Sequence, residues 1–252
     1  MFFDTHTHLD DERFDDDRHE LIESIYKSGV TWMVNIGADL KSSKASVALA
    51  DQYDFIYAAV GVHPHDAASL KEADMDTLRE LAAHKKVVAI GEIGLDYHYD
   101  NAPREMQKKW FRRQIELARE LNLPYIVHDR DAHRDAMEVI KSTGYYNGVF
   151  HCYSGSAEMA KELIDLGFYI SFAGPLTFKN GKKPQEVAKE IPIEKIFIET
   201  DSPYLTPEPH RGKRNDSSYV RFVCEKLADI KGISLEEAAR ITKENGKNFF
   251  GI

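Results

Sequence analysis

The chain has 252 residues, 42% of them hydrophobic, which is enough apolar material for a sizeable buried core. Its formal net charge of −9 argues against a general nucleic-acid coat protein, because such proteins bind duplexes through a basic surface. The two cysteines, Cys152 and Cys224, have no metal-ribbon spacing, and the sequence shows neither a signal-peptide pattern nor a membrane-length apolar run. We therefore expect a cytoplasmic protein with no disulfide framework and no membrane contact.

Eight short apolar runs, rich in β-branched and aromatic residues, predict β-strands. In chain order they cover residues 2–6, 31–37, 55–61, 86–94, 124–128, 148–152, 168–172 and 195–200. The segments between them have helical patterns. The clearest is 103–122, where Pro103 suits the first turn of a helix.

The chain beyond Asp201 begins with an irregular, proline-rich stretch. Helical patterns then return at 216–231 and 234–249. The second of these has Ser234 as a predicted N-cap, with Glu237 three residues further on. We expect two helices at the C-terminal end of the sequence.

The alternation of strands and helices determines the expected fold. Strands joined by helical crossovers form a parallel sheet, and eight such units in this length predict an α/β protein of the TIM (β/α)8 barrel class. An open, doubly wound sheet is the alternative. No linker composition divides the chain, so we expect a single domain over residues 1–252.

Histidines and acidic residues lie at or near the carboxyl ends of the predicted strands, where a barrel of this class builds its active site. They are His6, His8, His63, His65, Glu92, Asp96, His128, His151 and Asp201. Any one of them also fits a structural role, such as a hydrogen-bonded core histidine or an acidic residue that starts a turn. Their recurrence at one predicted rim favours a shared site.

The residue types at this rim indicate metal binding. Side chains two apart on a strand point the same way, so His6 and His8 can bind one cation together. Glu92 can bridge two cations through its two oxygens. With His128, His151 and Asp201 the set has six ligands, too many for one tetrahedral zinc, so a two-metal site is the simpler interpretation. The ligand types suit Mg²⁺, Mn²⁺ or Zn²⁺.

Seven sequence motifs resemble those of the TatD family of metal-dependent deoxyribonucleases, from about residue 2 to residue 250 in unbroken order. They are "DTHTHLD", "GVHPHDA", "GEIGLDYHYD", "VHDRDA", "HCYSGS", "SFAGPLTFKN" and "ETDSPYLTPEPHRGKRN". The opening motif alone is shared by many amidohydrolase-like barrels. Its combination with "GEIGLDY" and "TDSPYL" is far more specific.

The resemblance implies a TIM barrel that cleaves DNA with one or two divalent cations. It implies that His6 and His8 bind the first metal and that Glu92 bridges the two. It implies that His128 and His151 bind the second metal, and that Asp201 is both a ligand and the catalytic aspartate. His63 and His65 match a motif near the substrate.

These assignments lead to a mechanistic hypothesis for a 3'-5' exonuclease. Glu92 holds the cations together, and Asp201 takes the proton from a metal-activated water that attacks the phosphodiester. Candidate contacts to single-stranded DNA or strand ends are the side chains of Tyr153, Lys179, Tyr204, Arg211, Lys213 and Arg214. For the basic residues, a solvent-facing surface is the alternative. No obligate protein partner is evident.

Two other functional classes remain open from the sequence. One is a hydrolase of small amides or esters, or a D-aminoacyl-tRNA deacylase. Many such barrels bridge their metals with a carbamylated lysine, whereas this chain has Glu92 in that strand. The other is a non-catalytic metal-binding protein, which would have no need of Asp201.

Overall fold

The computed structural model describes residues 1–252. The strands are β1 (Phe2–Thr7), β2 (Val30–Ile36), β3 (Ile56–Val60), β4 (Val87–Asp96), β5 (Tyr125–Arg130), β6 (Gly148–Phe150), β7 (Tyr169–Phe172) and β8 (Ile196–Ile198). The helices are α1 (Arg18–Lys27), α2 (Leu40–Gln52), α3 (Glu72–Ala82), α4 (Arg104–Leu121), α5 (His133–Thr143), α6 (Ala157–Leu166), α7 (Lys182–Glu190), α8 (Val220–Lys231) and α9 (Leu235–Phe250).

One sheet contains all eight strands in the order β1 to β8. Helices alternate with the strands, and neighbouring strands such as β4 and β5 pair in parallel, with Ile90 opposite Tyr125. This arrangement confirms the prediction of the TIM (β/α)8 class. None of the helices combines the length and the apolar character that spanning a membrane requires.

The chain divides into two compact units, which we describe separately. Unit 1 comprises residues 1–35 and 152–252, and unit 2 comprises residues 36–151. The single domain that the sequence suggests over residues 1–252 stays a prediction.

In unit 1 the first and last strands meet. The Thr5 hydroxyl donates to the carbonyl oxygen of Ile198 at 3.1 Å, and Thr7 and Ser202 form a parallel bridge just beyond β8. Helix α9 packs behind β1. Its N-cap is Ser234, whose side chain accepts a hydrogen bond from the backbone N–H of Glu237, as the sequence predicts.

In unit 2 the core is built around β4. All ten residues of this strand are buried, which is typical of a parallel strand covered on both faces. Helix α4 places Trp110, Phe111 and Ile115 in the core. Pro103 lies at the N-cap of this helix, one residue before the position that the sequence pattern suggests.

Candidate active site

Unit 1 contains a cluster of two imidazoles and one carboxylate. The Nε2 atoms of His6 and His8 lie 3.2 Å apart. Asp201 Oδ1 lies 3.7 Å from His6 Nε2 and 3.4 Å from His8 Nε2. We call these three residues the unit 1 triad.

The pairing of β1 with the segment after β8 brings the unit 1 triad together. The backbone N–H of Asp201 donates to the His6 carbonyl oxygen at 2.9 Å, and the backbone N–H of His8 donates to that of Ser202 at 2.8 Å. Asp201 has a φ of +55°, a left-handed conformation that aspartate and asparagine adopt more readily than most residues. The chain therefore turns at this aspartate, directly opposite the two histidines.

Two buried carboxylates support this region of unit 1. Asp4 accepts hydrogen bonds from the backbone N–H and the hydroxyl of Thr200, at 2.9 and 2.6 Å. Burial raises the pKa of Asp4 to about 7, although these hydrogen bonds oppose the shift. Glu199 accepts from the backbone N–H of Cys152 and from the Ser171 hydroxyl, at 2.7 and 2.6 Å.

The sequence interpretation assigns no role to Asp4 or Glu199. Each lies two residues before a proposed ligand, Asp4 before His6 and Glu199 before Asp201. The alternation of strand side chains was the signal that could have identified them, because it predicts that each acid faces the same side as the ligand after it.

Unit 2 contains a second cluster of two imidazoles and one carboxylate. Glu92 Oε1 lies 2.8 Å from His128 Nδ1 and 2.6 Å from His151 Nε2. The two imidazole nitrogens lie 3.3 Å apart. We call Glu92, His128 and His151 the unit 2 triad.

Strand pairing positions the unit 2 triad. Glu92 lies within β4, His128 lies on β5, and His151 directly follows β6, where its backbone N–H donates to the Val127 carbonyl oxygen at 3.1 Å. Gly94 pairs with His128 and has a φ of +149°. A Cβ at this position would collide with the His128 carbonyl group, so only glycine permits this approach of the two strands.

His63 and His65 follow β3 and lie beside the unit 2 triad. His63 Nε2 lies 3.8 Å from Glu92 Oε1, and His63, Glu92 and His128 form a group whose geometry could hold a metal ion. Burial, and then the charge of His128, lowers the pKa of His63 well below its usual value. His63, expected near the substrate, is therefore also placed to act as a ligand.

Asp96, at the end of β4, links His65 to the unit 2 triad. Its Oδ2 atom lies 3.0 Å from His65 Nε2 and 3.1 Å from His128 Nε2. Burial alone would raise the pKa of Asp96, but the hydrogen bonds from His128 and from the backbone of Tyr99 outweigh it. The pKa is consequently held well below the usual value for aspartate.

The pKa of His128 moves in the opposite direction. Burial lowers it, but the hydrogen bonds to Asp96 and Glu92 prevail and raise it above the usual value. Both ring nitrogens of His128 face a carboxylate oxygen.

Apart from His63 and His65, which lie in unit 2, the predicted substrate contacts lie in unit 1 and differ in exposure. Tyr153 is buried and its hydroxyl donates to the Ser156 carbonyl oxygen. Tyr204 is 43% exposed, its ring meets the His8 ring edge-on with centroids 6.2 Å apart, and its hydroxyl donates to Asp11 at 3.0 Å. Of the two tyrosines, Tyr204 is the better placed for stacking beside the unit 1 triad.

The four basic candidates are exposed, and two of them have intramolecular partners. Arg211 stacks on the Phe178 ring at 3.8 Å, and Arg214 forms an ion pair with Asp17 at 2.5 Å. Lys179 and Lys213 are the other two exposed candidates. Arg214 has to exchange its carboxylate partner if it is to bind a phosphate.

The chemistry of both triads fits a divalent cation. Two imidazoles and one carboxylate form a known ligand set for transition metals. Donor atoms that bind one ion at about 2.0–2.2 Å lie roughly 3–3.5 Å apart. The separations within each triad are close to this range, so small side-chain movements suffice to close either group around an ion.

Comparison with known proteins identifies similar sequences over the whole chain. The sequence model for the family described as TatD-related DNase matches residues 3–251. The chain is 50% identical over 254 residues to the uncharacterized metal-dependent hydrolase YabD of Bacillus subtilis (strain 168), covering 100% of both chains. It is 33% identical over 258 residues to the 3'-5' ssDNA/RNA exonuclease TatD of Shigella flexneri serotype 5b (strain 8401), covering 99% of each.

Solved structures show the same fold. YJJV, a TatD homolog from Escherichia coli K12, superposes with a TM-score of 0.94 at 28% identity, covering 100% of this chain and 98% of that chain. An uncharacterized amidohydrolase from Saccharomyces cerevisiae superposes with a TM-score of 0.84 at 19% identity, covering 98% and 99%. The second likeness shows the fold alone.

Proposed function

Because the chain belongs to the TatD-related DNase family of metal-dependent hydrolases, we propose that it hydrolyses phosphodiester bonds in single-stranded nucleic acid. A relative that shares 33% of its residues over nearly the full length is named a 3'-5' ssDNA/RNA exonuclease, which supports the substrate class and the polarity. Family membership also confirms the prediction, made from the sequence, of a metal-dependent hydrolase.

The observation that carries the proposal is the presence of one triad in each unit. We assign one divalent ion to His6, His8 and Asp201, and a second to Glu92, His128 and His151. The family resemblance implies that Glu92 would also have a bridging role, and we keep that role as part of the proposal. Two ligand sets of the same composition favour two-ion hydrolysis over a single structural zinc.

When bound, the ions would supply Lewis-acid activation of the phosphodiester and of the attacking water. The role of Asp201 in the chain's own chemistry is to accept the proton of that water at a carboxylate oxygen. Its side chain is 15% exposed, so one oxygen can be reached by solvent while the backbone holds the residue in place.

Binding of the polynucleotide is assigned to His63 and His65 and, in unit 1, to an aromatic and several basic side chains. The exposed ring of Tyr204, beside His8, is placed to stack on a terminal base or sugar. Lys179, Arg211, Lys213 and Arg214 are assigned to phosphate oxygens, because most contacts to nucleic acid are made with the backbone. We also propose a cytoplasmic location, for which the low cysteine content is the support.

The test is to strip the protein of metal and to add back Mg²⁺, Mn²⁺ or Zn²⁺ one at a time. Labelled single-stranded DNA, double-stranded DNA, RNA and a D-aminoacyl-tRNA serve as substrates. We expect metal-restored, stepwise shortening of single strands from the 3' end. Hydrolysis of the aminoacyl ester alone, with all polynucleotides intact, would replace the nuclease assignment with a deacylase.

A further inference from the structure

The Asp96 side chain is only 1% exposed, and its two oxygens accept four hydrogen bonds. Oδ1 accepts from the backbone N–H groups of His98 and Tyr99, at 3.0 and 2.9 Å. Oδ2 accepts from the Nε2 atoms of His65 and His128, at 3.0 and 3.1 Å. One carboxylate thus holds the turn after β4 with one oxygen and two imidazoles with the other.

The hydrogen bond between Asp96 Oδ2 and Nε2 of His128 fixes the orientation of the His128 ring. A carboxylate oxygen accepts hydrogen bonds, so a proton on Nε2 is held by Asp96 and a proton on Nδ1 by Glu92. A cation bound to the unit 2 triad would replace the Nδ1 proton, and the Nε2 proton would stay hydrogen-bonded to Asp96. The opposite nitrogen, Nδ1, faces Glu92 Oε1 and lies 3.3 Å from His151 Nε2. A neutral His128 with its proton on Nε2 presents the lone pair of Nδ1 to the rest of the unit 2 triad.

We propose that Asp96 is a positioning residue for the metal site, which selects Nδ1 of His128 as the ligand atom and holds His65 at its side. The proposal rests on the function proposed above, because it requires the unit 2 triad to bind an ion. Carboxylates that accept the second N–H of a ligating histidine orient the ring and make the ligand nitrogen more basic.

Substitution of Asp96 by asparagine separates the positioning role from a purely structural one. An asparagine keeps the size of the side chain, and its single oxygen can still accept the N–H groups of His98 and Tyr99. Its amide nitrogen then faces His65 and His128 as a donor. His128 Nε2 must become an acceptor, which moves the ring proton to Nδ1 and blocks that atom as a ligand.

The experiment compares Asp96→Asn with Asp51→Asn, and both with the unsubstituted protein. Asp51 lies on α2 and contacts His84 Nε2 at 3.0 Å, so the control removes a carboxylate–histidine pair outside the triads. The readout is Zn²⁺ affinity, measured by competition with a chromogenic chelator. We expect the affinity of Asp96→Asn to fall by about 10- to 100-fold. The affinity of Asp51→Asn should not change.

A second measurement, made on the unsubstituted protein, tests the proposal even if Asp96→Asn does not fold. In the Zn²⁺-loaded protein, ¹⁵N NMR of the histidine side chains should show His128 with a proton on Nε2 and the metal on Nδ1. The His128 signals are identified by their loss in His128→Asn. The reverse arrangement, with the proton on Nδ1, overturns the proposal.

The remaining outcomes separate this proposal from the function on which it rests. If the unsubstituted protein binds Zn²⁺ and Asp96→Asn binds it equally well, Asp96 has no positioning role and the metal site stands. If the unsubstituted protein binds no metal at all, the proposed function fails and the role of Asp96 fails with it.

Discussion

The acidic residues of unit 1 have different roles because their surroundings differ. Asp4 and Glu199 are fully buried and accept hydrogen bonds from the backbone and from hydroxyls, which suits them to holding strands in place. Asp201 is partly exposed and faces two imidazoles. A proton acceptor must be reachable by water, so Asp201 is the one of these three carboxylates that is suited to act as a general base.

Replacement of Asp201 by asparagine tests this assignment. Asparagine tolerates the left-handed conformation at φ +55° and keeps an oxygen that can face a cation. The amide cannot accept the proton of the attacking water, so we expect kcat to fall by about 10²- to 10⁴-fold, the range typical of general-base catalysis. Steady-state kinetics on single-stranded DNA give the rate, and circular dichroism with elemental analysis reports folding and metal content.

The control for Asp201→Asn is Asp229→Asn, which removes an exposed carboxylate of α8 in the same unit. It should leave kcat unchanged. An Asp201→Asn protein that cleaves DNA at the original rate would falsify the general-base role.

At the scale of secondary-structure elements, helix α9 shows how a local preference yields to packing. Gly246 lies inside this helix, where alanine is ordinarily favoured by about 1 kcal/mol. A Cβ at this position would lie 2.8 Å from Cδ1 of the Phe3 ring, and Phe3 is buried. The glycine lets the helix approach β1, the strand that carries His6.

Gly246→Ala should therefore destabilise the protein, although helix propensity alone predicts a gain. Crowding of the core costs about 1–3 kcal/mol, which outweighs the gain in propensity. We expect a net loss of up to about 2 kcal/mol in the free energy of unfolding, measured by urea denaturation. Asn248→Ala, at an exposed position of the same helix, is the control and should be neutral or slightly stabilising.

The sequence predicted the strands well because fully buried parallel strands appear as continuous apolar runs. Strand ends were less accurate. The predicted strand 148–152 ends at Phe150, because His151 and Cys152 form a turn in which Cys152 has a φ of +39°. The histidine still lies at the site, since a residue just past a strand end remains at the same rim.

Parts of the candidate site were beyond the sequence argument for a physical reason. Period and spacing place Asp96 near the end of β4, but they do not show which imidazoles share its oxygens. The burial of Tyr153 could not be predicted from the sequence either, because an aromatic residue after a strand suits both a core position and a stacking surface. Both depend on contacts between segments distant in sequence.

At the scale of the whole molecule, each of the two units has its own candidate ion site. The unit 1 triad and the unit 2 triad have the same composition, so each could hold an ion independently. If Glu92 has the proposed bridging role, loss of the first ion should weaken binding of the second. This coupling is measurable, because an ion that binds only the folded state stabilises the elements that hold it.

Hydrogen exchange with mass spectrometry can measure the coupling in the two units at once. We expect saturating Zn²⁺ to slow exchange in peptides from β1 and residues 201–204 of unit 1, and from β4 to β6 of unit 2. A His6→Ala/His8→Ala double variant should lose most of this protection in both units if Glu92 bridges the ions. Loss confined to unit 1 would instead establish two independent ions. A His19→Ala/His84→Ala variant, which removes one histidine from each unit outside the triads, should behave as the unsubstituted protein does.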